Sequence, residues 1–220
     1  MGENALIKLD ILSDPICPWC YIGKARLDRA LEARPDHPFE IEWHPFQLNP
    51  EMPRAGMDRR AYMEAKFGGR DGAVHAYRPV VEHAADAGLE LNLDRIARAP
   101  NTLDAHRLIH WAGLEGRQTA VVAALFRAYF RDGRDIGDSG VLVDLAGEAG
   151  LDREMVARLL AGDGDRDEIA ARDAHARERG VSAVPTFVLA NTYVLSGAQA
   201  TDTWLKIIDE LTEQTRKHTA

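Results

Sequence analysis

Apolar residues alternate or cluster over residues 5–12, Ala-Leu-Ile-Lys-Leu-Asp-Ile-Leu, and this short run predicts a strand. Over about 18–34 the period changes. Ile22, Ala25, Leu27, Ala30 and Leu31 recur at helical spacing, and Pro18 is acceptable in the first turn, where its missing N–H would have no partner anyway. Over 39–44, Phe39, Ile41 and Trp43 alternate with Glu40, Glu42 and His44, which predicts a second strand with one buried and one wet face. The chain therefore opens as β-α-β.

From about 57 to 180 the pattern is that of amphipathic helices, at roughly 58–67, 72–87, 103–115, 117–132, 138–149, 152–161 and 166–179, with no strand signal between them. Asn101-Thr102 predicts a helix start capped by a hydroxyl. Gly113, Gly133, Gly150 and Gly164 stand where helices should stop, and Pro79 predicts a kink or a later start. Met52-Pro53 and Gly56 mark a hinge into this block. Phe126, Tyr129 and Phe130 share a helical spacing and read as core.

Strand character returns at 185–189 and 193–196 around an Ala190-Asn191-Thr192 turn, followed by Gly197, and predicts a hairpin. A last helix over about 202–216 carries Trp204, Leu205, Ile208 and Leu211 on one face, with Asp202 near its start and Arg216 and Lys217 at its end. The order is β-α-β, a helical block, then β-β-α.

Composition narrows the function classes. A chain of 220 residues with 45% hydrophobic content can bury a full core as one or two domains. Its net charge of -8 argues against a nucleic-acid partner, because Lys and Arg are interspersed with acidic residues and form no basic stripe. No segment approaches the roughly 18 apolar residues of a membrane helix, and the N-terminal stretch lacks a basic leader or cleavage site. The expected location is cytoplasmic, with no membrane partner.

Only two cysteines occur, Cys17 and Cys20, in Ser13-Asp-Pro-Ile-Cys-Pro-Trp-Cys20. The pair opens the first helix. Unpaired N–H groups and the helix dipole favour a thiolate there, so Cys17 is the expected nucleophile. Cys20 lies one turn on, on the same face and within disulfide reach, and is the expected resolving thiol. In a reducing compartment such a pair is more often catalytic or metal-binding than structural. Metal is disfavoured because no second Cys-x-x-Cys exists and His106 and His110 form only an i, i+4 pair, read as partly exposed.

These elements together resemble the thioredoxin fold with an inserted helical domain, as in the DsbA family, and most closely its FrnE-like branch. The residues that carry the resemblance are Asp14-Pro-Ile-Cys-Pro-Trp-Cys-Tyr-Ile-Gly23, Asn101-Thr102 with Ala105-His-Arg-Leu108, Val184-Pro-Thr-Phe187 and Ser196-Gly-Ala-Gln199. The implied class is α/β, with a thioredoxin-like domain over 1–56 and 181–220 and a helical domain over 57–180. The resemblance also implies a cis Pro185 beside the cysteines, with the Val184 backbone available to a substrate.

The expected activity is thiol-disulfide exchange through a mixed disulfide, on protein or small-molecule thiols and disulfides, recycled by a reductase or by glutathione. No cofactor is expected beyond the Cys17-Cys20 disulfide itself, with glutathione as a candidate thiol substrate. Pro18 and Trp19 should tune the potential and shape the contact surface. Oxidising DsbA relatives often carry His where Trp19 stands, so strong oxidant behaviour is not expected.

Two rival readings stay open: a glutathione-dependent isomerase or transferase, whose relatives typically replace the first cysteine by Ser, and a redox-linked chaperone or interaction module. Tyr21, Trp19 and Met52 either line an apolar substrate groove or, for Tyr21 equally, pack in the core. Asp14 is a proton acceptor or, preferably, a turn-forming residue, and His44 reads as solvated or structural.

Overall fold

The computed structural model describes residues 6–219, with side chains through Gln214, so the expected start of the first strand at Ala5 and the basic end at Arg216 and Lys217 lie outside the described residues and side chains. Strand β1 (Ile7–Ser13) leads into helix α1 (Pro18–Ala33) and strand β2 (Phe39–Pro45). Far along the chain, β5 (Thr186–Leu189) and β6 (Tyr193–Ser196) form a hairpin through Ala190 and Asn191, both at positive φ, and α9 (Thr201–Thr219) follows. The four strands make one sheet in the order β2-β1-β5-β6. β1 runs parallel to β2 and antiparallel to β5, with Ile11 opposite Phe187.

Register decides what lies on each face. Phe187 meets Trp204 of α9 edge to face at 4.8 Å, and α1 packs beside α9 on that side. Asp10, Leu12, Thr186 and Val188 therefore face the other way. β2 is an edge strand, and a bare edge invites pairing with other chains. Here the Gln118 side chain covers it: its Oε1 accepts from Trp43 N at 2.8 Å and its Nε2 donates to Trp43 O at 3.1 Å. Glu42 and His44 are not freely wet, because Lys8, Asp10 and Arg172 form an ion-pair network with them.

The helical block matches the expected segments closely: α2 (Arg59–Phe67), α3 (Arg70–Asp86), α4 (Leu103–Leu114), α5 (Gln118–Phe126), α6 (Ser139–Glu148), α7 (Arg153–Ala161) and α8 (Arg166–Glu178). Helices α4, α5 and α8 pack on β2, and one continuous apolar core runs from Ile11 and Phe46 to Leu108, Leu125 and Leu142. α3 begins at Arg70 and continues through Pro79. It joins α1 through a separate small cluster of Ile22, Val80, Ala84 and Ala87.

Several expectations are corrected. The block holds two short strands, β3 (Met57–Asp58) and β4 (Arg98–Ala99), paired antiparallel; two residues are too few for a periodic signal. The segment 51–57 leads into the block as expected of a connection, and Asn101 Nδ2 donates to Met52 O within it at 2.7 Å. Gly56, at φ +66°, fits so tightly that a Cβ there would lie 2.7 Å from Ala99 O.

Thr102 makes no cap bond; the side chain of Asn101 accepts from Leu103 N instead. Gly113 lies inside α4, and Gly116 makes the turn beyond it. Gly164 does not end α7, which stops at Ala161, with Gly162 at its C-cap. The expected helix over 117–132 changes at Arg127 into a π turn through Arg131, which adjusts the presentation of Tyr129 and Phe130. His106 is buried, not partly exposed.

Candidate active site

Ser13 ends β1, and Asp14-Pro15-Ile16 turns the chain so that Cys17 N donates to Asp14 O at 2.9 Å. Cys17 is the N-cap of α1 in an extended conformation, and Pro18 follows in the first turn. Cys17 O accepts from Cys20 N and Tyr21 N, so the first turn winds directly from the cysteine. Both cysteines are free thiols, 3% and 1% exposed. Pro18 and Trp19 between them are half-exposed and form the outer surface of the motif.

Val184-Pro185 is a cis peptide bond, and Cys17 Sγ donates to Val184 O at 3.5 Å. The residues on either side fix this loop: Thr186 Oγ1 donates to Ala183 O, and Gly197 N to Pro185 O, both at 2.8 Å. Gly23 explains how closely α1 approaches it. A Cβ there would sit 3.1 Å from Pro185 Cγ.

The two thiols differ in environment. Burial, then the hydrogen bond and charge of Cys17, pushes the Cys20 thiol well above the usual range, with the Ser13 hydroxyl opposing. Cys20 therefore holds its proton more tightly than a free thiol does.

Asp14 is fully buried beneath the motif, and its carboxylate accepts from Leu48 N at 2.6 Å and Ile16 N at 3.3 Å. It therefore forms the turn and also ties down the segment after β2. Burial pushes it up to about 7, with those backbone bonds and the Thr102 hydroxyl opposing. His106 Nε2 lies 4.0 Å from Asp14 Oδ1 with no hydrogen-bond partner. Burial drives that imidazole down to about 3, so the contact is between a neutral ring and a carboxyl, not an ion pair.

Tyr21 stacks on Phe126 at 5.2 Å and Phe130 at 5.7 Å, which is the core alternative of its two readings, and Met52 is likewise buried. Trp19 packs on His83 of α3 at 5.3 Å. His44 bonds Asp10 at 2.6 Å in the ion-pair network of the sheet. Asp10, Glu42 and His44 are spaced as metal ligands, but Lys8 and Arg172 already neutralise the carboxylates. A cleft of roughly 760 Å³ lined by Leu12, Arg172, Ala176 and Val188 opens on the sheet face away from α1 and contains neither cysteine.

Periodicity did not point to Arg59, Tyr77 or Tyr129 as site residues. Burial pushes the Tyr77 phenol up, with Arg59 opposing and the charge of Cys17 adding to it. No sequence signal marks this approach, because α3 reaches α1 only through tertiary packing.

A buried dithiol at a helix N-terminus, facing a cis proline loop, defines a thioredoxin-type redox protein. Residues 8–209 match the model of the DSBA-like thioredoxin domain, and the chain belongs to that family. It is 29% identical over 216 residues to the uncharacterized protein YwbO of Bacillus subtilis, covering 96% of this chain and 99% of that one.

A probable DsbA oxidoreductase from Streptomyces coelicolor superposes with a TM-score of 0.82 at 35% identity, covering 93% of this chain and 89% of the other. The cytosolic disulfide reductase DsbM of Pseudomonas aeruginosa, solved with GSH, shares the fold at a TM-score of 0.66 and 20% identity, over 94% and 99% of the two chains.

Proposed function

We propose that Cys17 and Cys20 carry out dithiol-disulfide exchange, with Cys17 as nucleophile and Cys20 as resolving thiol. The observation that carries this reading is the position of Cys17 Sγ at the start of α1, 3.5 Å from Val184 O beside the cis bond. The helix N-terminus favours the thiolate, and the Val184 backbone offers a docking edge to an extended substrate.

In the reductive direction the Cys17 thiolate attacks one sulfur of a substrate disulfide. A new S–S bond forms, the substrate bond breaks, and its other sulfur leaves as thiolate. Cys17 has then lost its charge, so two of the three influences that raise Cys20 disappear and the second thiol becomes easier to ionise. Cys20 loses its proton and attacks Cys17, releasing the second substrate thiolate and leaving Cys17-Cys20 oxidised. An external thiol, glutathione or a dithiol reductase, returns the pair to the reduced form. Run backwards, the same steps oxidise a substrate dithiol.

Protein and small-molecule disulfides both fit this chemistry, and a cytoplasmic setting would keep the pair reduced. No helix among the described residues is long and apolar enough to cross a membrane. A fold relative solved with GSH supports a thiol of that kind as reaction partner. The test is insulin-disulfide reduction and dithiol oxidation by wild type and Cys17→Ser. Loss of both activities is expected in the variant; unchanged activity would refute the proposal.

A further inference from the structure

Thr186 begins β5 immediately after the cis bond, and it lines the cleft on the sheet face away from α1. It is 4% exposed, and its hydroxyl donates to Ala183 O at 2.8 Å. A threonine that bonds the backbone three residues earlier closes a local turn. Here that turn encloses Val184 and Pro185. Because Thr186 faces away from the helix that carries the cysteines, it can act on them only through this loop.

The loop has few other anchors. Val181 N is held by Ala176 O at 3.1 Å on one side, and Pro185 O by Gly197 N at 2.8 Å on the other. Among the described residues, Ser182, Ala183 and Val184 between them make two hydrogen bonds, the one from Thr186 to Ala183 O and the one from Cys17 Sγ to Val184 O at 3.5 Å. Ser182 and Ala183 are exposed. A thiol is a weak donor and cannot hold a loop by itself, so the Thr186 hydroxyl is the side-chain anchor that fixes where Val184 O stands.

We propose that Thr186 is a positioning residue that holds the Val184 carbonyl against the Cys17 sulfur, restraining the resting nucleophile and presenting a fixed backbone edge to an extended peptide disulfide. The assignment rests on the exchange reading above and deepens it. A carbonyl that accepts from S–H favours the neutral sulfur and opposes the helix N-terminus, which favours the thiolate. The same carbonyl, once fixed, can pair with a peptide backbone, and a disulfide without peptide groups gains nothing from it.

The test uses Thr186→Val, which keeps the branched shape and removes the donor, Thr186→Ala, which removes it without an added methyl, and Thr186→Ser, which retains it. Alkylation of Cys17 by iodoacetamide at pH 7, located by mass spectrometry, should run about twofold to tenfold faster in the Val and Ala variants. Thr186→Ser should stay near wild type. In kcat/KM, the ratio of insulin to hydroxyethyl disulfide should fall by a similar factor in Val and Ala and be kept in Ser. A purely structural role would depress both substrates together and leave that ratio unchanged.

An alkylation rate in the donor-less variants equal to or below wild type would overturn the assignment. So would an unchanged substrate ratio, or a Thr186→Ser chain that behaves as Thr186→Val does. Alkylation needs no disulfide partner, which separates the two claims. Faster alkylation in a chain whose wild type exchanges no disulfide would refute the exchange reading alone. Active exchange without that effect would refute the positioning role alone.

Discussion

Cys17 Sγ and Val184 O lie 3.5 Å apart although 167 residues separate them in the chain. Everything between β2 and β5 is folded so that this contact forms, and the site exists only when both halves of the sheet are assembled. In the proposed exchange, the cysteine supplies the reactive sulfur and the loop before Pro185 the backbone edge.

Gly23 controls how closely those halves meet. Gly23→Ala would place a methyl 3.1 Å from Pro185 Cγ, tighter than packed carbons prefer, and in ordinary contact with Phe187 Cζ at 3.5 Å. Overpacking of this kind costs about 1–3 kcal/mol. The expected outcome is a lower urea midpoint together with reduced exchange activity; a variant matching wild type in both would show that the loop has room to move.

Asp14 and His106 bias stability in opposite directions. The Asp14 carboxyl is raised from 3.8 to about 7, so the folded state holds its proton while the unfolded chain has lost it, and stability falls as pH rises from about 4 to 7. His106 is lowered from 6.5 to about 3, so the unfolded chain binds the proton there, and stability falls as pH drops below 6.5. Between about pH 4 and 6.5 the two slopes cancel.

Each slope should appear alone when the other group is removed. Asp14→Asn should gain stability with rising pH across that window, and His106→Gln should lose it, each by up to about 1.4 kcal/mol per pH unit. Urea unfolding from pH 4 to 8 checks this. Curves for both variants parallel to wild type would show that neither group is buried in its stated form.

Gln118 guards the open edge of β2. Gln118→Ala removes both hydrogen bonds to the Trp43 backbone and should cost about 1–3 kcal/mol. Hydrogen exchange at the Trp43 amide should accelerate. Unchanged protection there would mean that another group covers the edge.

Much of this architecture was legible in periodicity and motif. The β-α-β opening, the helices of the block and the closing hairpin each carry a local pattern, and the two cysteines at a helix start point to redox chemistry once Val184-Pro-Thr leads a strand far downstream. The cis bond at Pro185 was not readable from local chemistry and came with the family resemblance.

What escaped has physical causes. Two-residue strands such as Met57–Asp58 are too short to show a period, and the π turn at Arg127 leaves no mark in a hydrophobic pattern. His106 read as partly exposed because a helical histidine pair gives no sign of the carboxyl that will be packed beside one of its members.

The most direct test of the account is to trap the intermediate. Cys20→Ser, incubated with oxidised glutathione and digested without reductant, should carry one glutathione in mixed disulfide on Cys17, detected by mass spectrometry, and Cys17→Ser should carry none on Cys20. A modified Cys20 in Cys17→Ser with an unmodified Cys17 in Cys20→Ser would reverse the assigned roles and contradict the account.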